Sequence, residues 1–401
     1  MILRLLPLVL GAFAIGSETF MLSGVLPAIA ADLHTSPAAA GSLVTIFALS
    51  YAIGAPLVAI ATANVERKRL LMAAIGAFAL SNLLASLAPS LSLLAVARVL
   101  LALTAGAYMP AAIAFATALH GPAERGRAVA LVYAGMTLAT VIGVPGGTYI
   151  AHFASWRASF VAVALVAGVA LIGVAALLPR LQGARAVGLA ERFAVAARPE
   201  VLKLLALTTL ALIGPFAANT YLGVLVETTL GIGGDRLSLI LMIFGIVGFF
   251  GSQFGGYAAD HWPREKSIAT ILAVLISSFA LIALGGEIGG AAGASTLIGG
   301  LSLWGLFGWA FPIVQQARLV SLDPALAQIT LSLNNSALYF GAALGASLGG
   351  FVVAESPVAN VGWAAAASEV AALALLVATS RLVVRRPAPA PAVLADAGQG
   401  C

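Results

Sequence analysis

The chain has 401 residues, 61% of them hydrophobic and only 9% charged, with a net charge of +5. A water-soluble domain of this length needs far more polar surface, which excludes a soluble enzyme or soluble binding module. The basic excess lies in short gaps between apolar runs, where it faces anionic lipid, so it is not a nucleic-acid footprint.

About 20 apolar residues cross the hydrocarbon core of a bilayer, and twelve runs reach that length. In chain order, spans 1 to 12 cover roughly 5–27, 40–62, 70–88, 91–117, 128–150, 159–178, 202–226, 237–258, 267–286, 291–317, 329–352 and 361–384. The predicted fold class is therefore an all-α membrane protein. The basic residues of the gaps sort to alternate sides. Arg4, Arg67, Lys68, Arg69, Arg125, Arg127, Arg180, Arg185, Arg192, Arg198, Lys203, Arg264, Lys266, Arg318, Arg381, Arg385 and Arg386 fall on one side, and only Arg157 and Arg236 on the other. The positive-inside bias predicts that both termini are cytoplasmic, in a bacterial-type inner membrane. The first run is too long for a cleaved signal peptide and continues into a full span.

The longest gap divides the chain near its middle. The expected units are an N-terminal six-helix half (1–179), a cytoplasmic linker (180–201), a C-terminal six-helix half (202–386) and a disordered tail (387–401). The halves share a plan. Gly54 and Gly251 open similar connections 197 residues apart, as do Arg67 and Arg264 within them, and Pro110 and Pro312 stand 202 residues apart. Span 5 carries Gly135, Ala139, Gly143 and Gly147, and span 11 carries Ala337, Gly341, Gly345 and Gly349, each four apart. Such stripes let helix backbones approach closely, and they are expected to form seams between the halves.

No HExxH, P-loop or nucleophile elbow occurs. The four histidines sit at loops, and the one cysteine, Cys401, can form neither an internal disulfide nor a metal cluster. Neither enzymatic activity nor a cofactor or metal is expected.

Several motifs carry a resemblance. "GGYAADHWPREK" after span 8, with Gly256, Asp260, Arg264 and Lys266, is similar to the signature loop of the major facilitator superfamily. The first-half copy keeps Arg67, Lys68 and Arg69 but has Ala63 at the acid position. "ARVLLALTAG" places Arg98 at an embedded arginine of span 4. "GMTLATVIGVPGG", with Gly143, Pro145 and Gly147, is similar to the antiport-associated motif. "SETFMLSGVLPAIAADL", "SWRASF" and "LNNSALYFGAALGASLGG" resemble the drug:proton antiporter branch that includes arabinose- and sugar-efflux-like permeases. The resemblance covers essentially the whole chain. It implies the major facilitator fold of two six-helix pseudo-repeat halves, working as a monomer by alternating access and exporting a small amphiphilic cargo (a drug, sugar or related metabolite) with the proton as coupling ion; a proton-independent facilitator or importer of a sugar or nucleoside is the alternative, and a non-transporting membrane sensor a remote one. It also implies a gating role for Asp260, Arg264, Lys266 and Arg67, with Asp260 latched to nearby basic groups or a helix N-terminus. Gly143, Pro145 and Gly147 join this gating set.

An ionisable group inside a bilayer is a functional candidate by default. Glu18 lies about 20 Å into span 1 from the basic side, and Arg98 about 10 Å into span 4 from the other, at helical rise. The two therefore sit at similar depth. In the resembled fold spans 1 and 4 both line the central cavity, so Glu18 and Arg98 are expected to share one network. A nearby arginine favours a charged carboxyl and desolvation a neutral one, a balance that suits a proton-coupling site. Glu369 in span 12 is expected to reach the membrane interface.

Transporter sites lie near the midplane between repeats. Span 10 offers Trp304, Phe307, Phe311 and Gln315 on one helical face. Phe216, Asn219 and Tyr221 of span 7, Asn335 and Tyr339 of span 11, Phe47 and Tyr51 of span 2, and Tyr108 and Met109 of span 4 complete the candidate cavity. Aromatic and amide groups together suit an amphiphilic ligand. Pro110, Pro145 and Pro312 are expected kink sites.

Overall fold

A computed structural model describes residues 2–120, 124–182, 188–323 and 326–383. It contains twelve helical spans long and apolar enough to cross a membrane: Leu5–Asp32, Pro37–Ala61, Arg67–Ser86, Leu91–Ala118, Arg125–Phe153, Trp156–Leu177, Pro199–Thr220, Gly234–His261, Arg264–Ile288, Gly290–Leu322, Ile329–Glu355 and Val358–Thr379. Several run past the apolar stretches. Apolarity marks the hydrocarbon core, whereas the ends are set by caps. Ser36, Ser90 and Ser155 each accept the backbone N–H three residues on, capping spans 2, 4 and 6. Pro37 and Pro199 stand in the first helical turn, where a missing N–H is harmless.

Three proline-containing spans depart from continuous α-helix. In span 5, Pro145 cannot donate to the preceding turn, and Ala139–Gly143 forms a π-helical turn in which the Val144 N–H reaches the Ala139 carbonyl. Span 10 divides at Trp309 into Gly290–Gly308 and Ala310–Leu322, because Pro312 cannot bond the Gly308 carbonyl. Span 7 contains Pro215, stops at Thr220 and resumes as Leu222–Leu230. Pro110 sits inside an unbroken span 4, so the expected equivalence with Pro312 does not extend to a break.

One hydrophobic core is built mainly from spans 1 to 6, joined by Tyr339, Ala342, Ala343 and Ala346 of span 11, and a second mainly from spans 7 to 10 and 12, joined by Val144 of span 5. Neighbour pairs repeat six spans on. Span 1 packs on spans 5 and 6 as span 7 packs on 11 and 12, and spans 2–4, 3–4 and 3–6 have the counterparts 8–10, 9–10 and 9–12. The halves meet along spans 2 and 11 and along spans 5 and 8, pairs related by the same symmetry.

The small-residue stripes form seams, but inside each half. Gly135 faces the Val9 carbonyl, Gly143 faces Ser17 and Gly147 faces Met21, all on span 1. Gly341, Gly345 and Gly349 face Thr209, Ile213 and Tyr221 of span 7. The expectation of inter-half seams is therefore corrected: the stripes hold each central helix to its own half, at equivalent places in the repeat.

The linker contains a short helix, Leu189–Ala196, that packs Val195 on Val201 and Ile329 of the second half. Arg192 donates to the Ser332 hydroxyl (2.7 Å), and Arg198 pairs with Asp323 (3.4 Å). The expected tail, 387–401, lies outside the described residues.

Candidate functional site between the two halves

Glu18 and Arg98 form an ion pair in which both side chains are fully buried. The Arg98 Nε donates to the Leu43 carbonyl (3.3 Å), and its guanidinium lies over the Phe47 ring, 4.2 Å from the centroid. Glu18 Oε2 and Arg98 Nη2 have no hydrogen-bond partner among the described residues. A buried pair with one free acceptor and one free donor is incompletely compensated.

The pair is joined to the second half through aromatic rings. Phe47 and Tyr51 lie four residues apart on one face of span 2. Tyr51 stacks on Tyr339 of span 11 with centroids 3.8 Å apart, and Phe47 stands 6.3 Å from the same ring. Asn335, one turn before Tyr339, donates to the Tyr51 hydroxyl (3.4 Å). Glu18, Arg98, Phe47, Tyr51, Tyr339 and Asn335 thus make one chain of contacts from the first half to the second. Phe216 packs against the cores of both halves. Asn219 is half-buried, with no hydrogen bond from its amide among the described residues.

Other expected cavity residues serve packing in this conformation. Tyr108 faces Gly11, and its hydroxyl donates toward the Pro7 and Leu8 carbonyls (3.3 and 3.4 Å). Met109 is buried in the first core. Trp304 lies between Phe244 and Phe279, Phe307 against Phe254, and Phe311 in the second core. Gln315 is buried and donates to the Leu204 carbonyl (2.8 Å) and the Thr208 hydroxyl (3.1 Å), which stands 2.7 Å from Asn334 Oδ1. The break at Trp309 divides the face on which the four span-10 residues were expected to act together.

Tyr221 belongs to a closure. Its ring fits against Gly41 of span 2 and Gly349 and Gly350 of span 11. Gly223 meets the Ser23 carbonyl, Gly245 meets the Thr140 carbonyl, Phe20 packs edge-on to Trp309 (5.7 Å), and the Thr45 and Ser347 hydroxyls lie 3.2 Å apart. All these cross-half contacts lie from mid-span toward the end remote from the basic loops. Small residues at Gly41, Gly223 and Gly245 were the available sign of this closure. A cavity of about 230 Å³ beside it is lined by Ser42, Thr45, Ile46, Tyr221 and Ser347. That is below the volume of about 300–1,000 Å³ usual for a drug-sized ligand, so it is not assigned to cargo.

At the basic end, Asp260, Arg264 and Lys266 are exposed. No ion pair forms to Asp260 among the described residues, so the expected latch is not made in this conformation. Its neighbour Glu265 instead pairs with Arg318 of span 10 (3.0 Å). In the first half Arg69 pairs with Glu66 (3.0 Å), and the Arg67 backbone N–H bonds the Leu181 carbonyl (2.8 Å). Gly143, Pro145 and Gly147 shape the π-helical turn and its seat on span 1.

Comparisons with known proteins agree with this architecture. The sequence model of the Major Facilitator Superfamily matches residues 8–345. The uncharacterized MFS-type transporter YbcL of Bacillus subtilis (strain 168) is 33% identical over 88% of this chain and 90% of its own length. The chloramphenicol resistance protein of Streptomyces lividans is 36% identical over 65% of this chain and 68% of its own. Among solved structures, a bacterial homologue of the human lysosomal transporter Spinster, inward-facing and occupied, superposes with a TM-score of 0.78. It is 16% identical and covers 96% of this chain and 98% of its own. The D-xylose–proton symporter gives a TM-score of 0.75 at 17% identity, covering 93% and 96% of the two chains. At these identities the likeness is one of fold.

Proposed function

The chain belongs to the Major Facilitator Superfamily, and from that premise we propose that it exports a small amphiphilic molecule in exchange for protons, by alternating access. The observation that carries this reading is the buried Glu18–Arg98 pair, incompletely satisfied and joined through Phe47, Tyr51 and Tyr339 to the other half. The proton binds Glu18 when the site opens outward. Neutralising Glu18 frees Arg98, whose guanidinium then answers only to Leu43 and Phe47, and the aromatic bridge to span 11 readjusts. The halves rock, the proton leaves on the cytoplasmic side and the ion pair reforms. With the basic loops taken as cytoplasmic, the present conformation, closed at its far end, follows proton release. The setting is a bacterial-type inner membrane, with a monomer as the working unit and Phe216, Asn219 and Asn335 available to cargo. Likeness to a chloramphenicol resistance protein supports a drug-like cargo.

A second reading draws on the amides of Asn219 and Asn335, which suit the hydroxyls of a sugar or nucleoside carried without a proton step. Protein in liposomes, with a pH-sensitive dye inside and an imposed proton gradient, separates the two. Under antiport, one compound from a panel of drugs, pentoses and nucleosides triggers proton movement that Glu18→Gln abolishes. Saturable uptake indifferent to the pH gradient supports the facilitator and overturns the coupling role.

A further inference from the structure

Glu369 lies eight residues into the helix Val361–Val383, about 12 Å from its start at helical rise. The expectation that it reaches the interface is corrected. Its side chain is 0% exposed, and neither carboxyl oxygen has a hydrogen-bond partner among the described residues. Ser368 does not serve it, because that hydroxyl donates to the Ala365 carbonyl (2.7 Å). Span 7 covers the group at Gly214, where a Cβ would stand 3.1 Å from Oε1 and 2.8 Å from the Ala365 carbonyl. The helices packed on span 12 carry their charges at their ends. These are Glu200 and Lys203 at the start of span 7, Arg264, Glu265 and Lys266 at the start of span 9, Glu287 at its far end and Glu355 at the end of span 11. Glu287 is engaged by the Trp363 indole N–H (2.7 Å). No ion pair reaches Glu369 among the described residues. An ionised carboxylate so placed has nothing to offset its desolvation, so the group carries its proton here.

The cover over this carboxyl belongs to the helix that leads into the far-end closure. Pro215 lacks an N–H and leaves the Ala211 carbonyl without its helical partner. Six residues on, Tyr221 falls outside helical geometry, and Tyr221 and Gly223 make the far-end closure against Gly41 and Ser23. Opening that closure must break these contacts, and because Gly214 lies on the unbroken helix Pro199–Thr220 that leads into Tyr221, the displacement carries Gly214 with it. We propose that Glu369 is a second proton-binding site, protonated while span 7 lies on span 12 and exchanging its proton with the far side when the closure opens. This rests on alternating access but not on the coupling role of Glu18.

Infrared difference spectroscopy on reconstituted protein reads the carbonyl stretch of a neutral carboxylic acid directly. In a Cys401→Ser background, Thr45→Cys with Ser347→Cys places two thiols within disulfide reach across the closure. A band is expected that Glu369→Gln abolishes and Glu369→Asp displaces. In oxidised, cross-linked protein it should survive a rise in pH. After reduction the same rise should remove it, and acid should restore it. A cross-linked protein without the band has an ionised Glu369 and overturns the proposal. So does a band that ignores pH after reduction, which marks a permanently neutral structural acid. The same titration is expected with Glu18→Gln added, so failure of the Glu18 reading leaves this result standing.

Discussion

Glu18 and Glu369 are both fully buried carboxyls, one in each half, but only Glu18 has a cation. Glu18 faces Arg98, and that arginine is in turn held by Leu43 and Phe47. Glu369 lies under a glycine, with no hydrogen-bond partner for either oxygen among the described residues. On the proposed reading the same side chain is held as a charge in one half and as a neutral acid in the other. The contrast would then place the choice of state with the partner and not with burial, since both carboxyls are equally buried.

One substitution made at both places should have opposite signs. Glu18→Leu strands the Arg98 charge, and a loss of roughly 3–5 kcal/mol is expected. Thermal unfolding in detergent reads this, and Glu18→Leu with Arg98→Leu should recover most of it. Glu369→Leu removes an unsatisfied polar group and should gain about 1–3 kcal/mol; a loss of similar size would reveal a partner for Glu369. A smaller effect tests how Arg98 is held. Arg98→Lys keeps the charge but gives up the planar fit over Phe47, for a cost of about 1–2 kcal/mol and a slower exchange rate. Smallest is the bridge to the other half. Tyr339→Leu removes a stacked pair and should cost about 0.5–1.5 kcal/mol. Its larger signature should be proton movement uncoupled from cargo, measured by comparing dye response with labelled uptake. Equal coupling in wild type and variant would exclude Tyr339 as the link.

The twelve spans were legible because a run long enough to cross a bilayer has no other reading in so apolar a chain. The Glu18–Arg98 pair was legible as well, since two isolated charges at equal depth on separate helices have few other partners. Orientation was not. The stripes of spans 5 and 11 announced close approach, but spacing of four says nothing about which helix approaches, and each faces its own half. Glu369 illustrates the same gap, because its depth could be read and the face it presents to Gly214 could not. Tyr221 and Trp304 are aromatic residues in apolar runs, like Tyr51 and Tyr339, and only packing separates a closure or core residue from one on the bridge. At the basic loop, Asp260 and Glu265 are both acids beside arginines. Arg318, on another span, selects Glu265 in this conformation.

In the proposed mechanism Glu18 carries the coupling proton. The most direct test is cargo-triggered proton flux in liposomes for wild type, Glu18→Gln and Glu369→Gln side by side, with folding of each checked by thermal unfolding. Flux lost in Glu18→Gln, and changed in pH dependence but retained in Glu369→Gln, is the predicted result. Flux at the wild-type rate in a folded Glu18→Gln would contradict it and leave the buried pair a structural tie between spans 1 and 4.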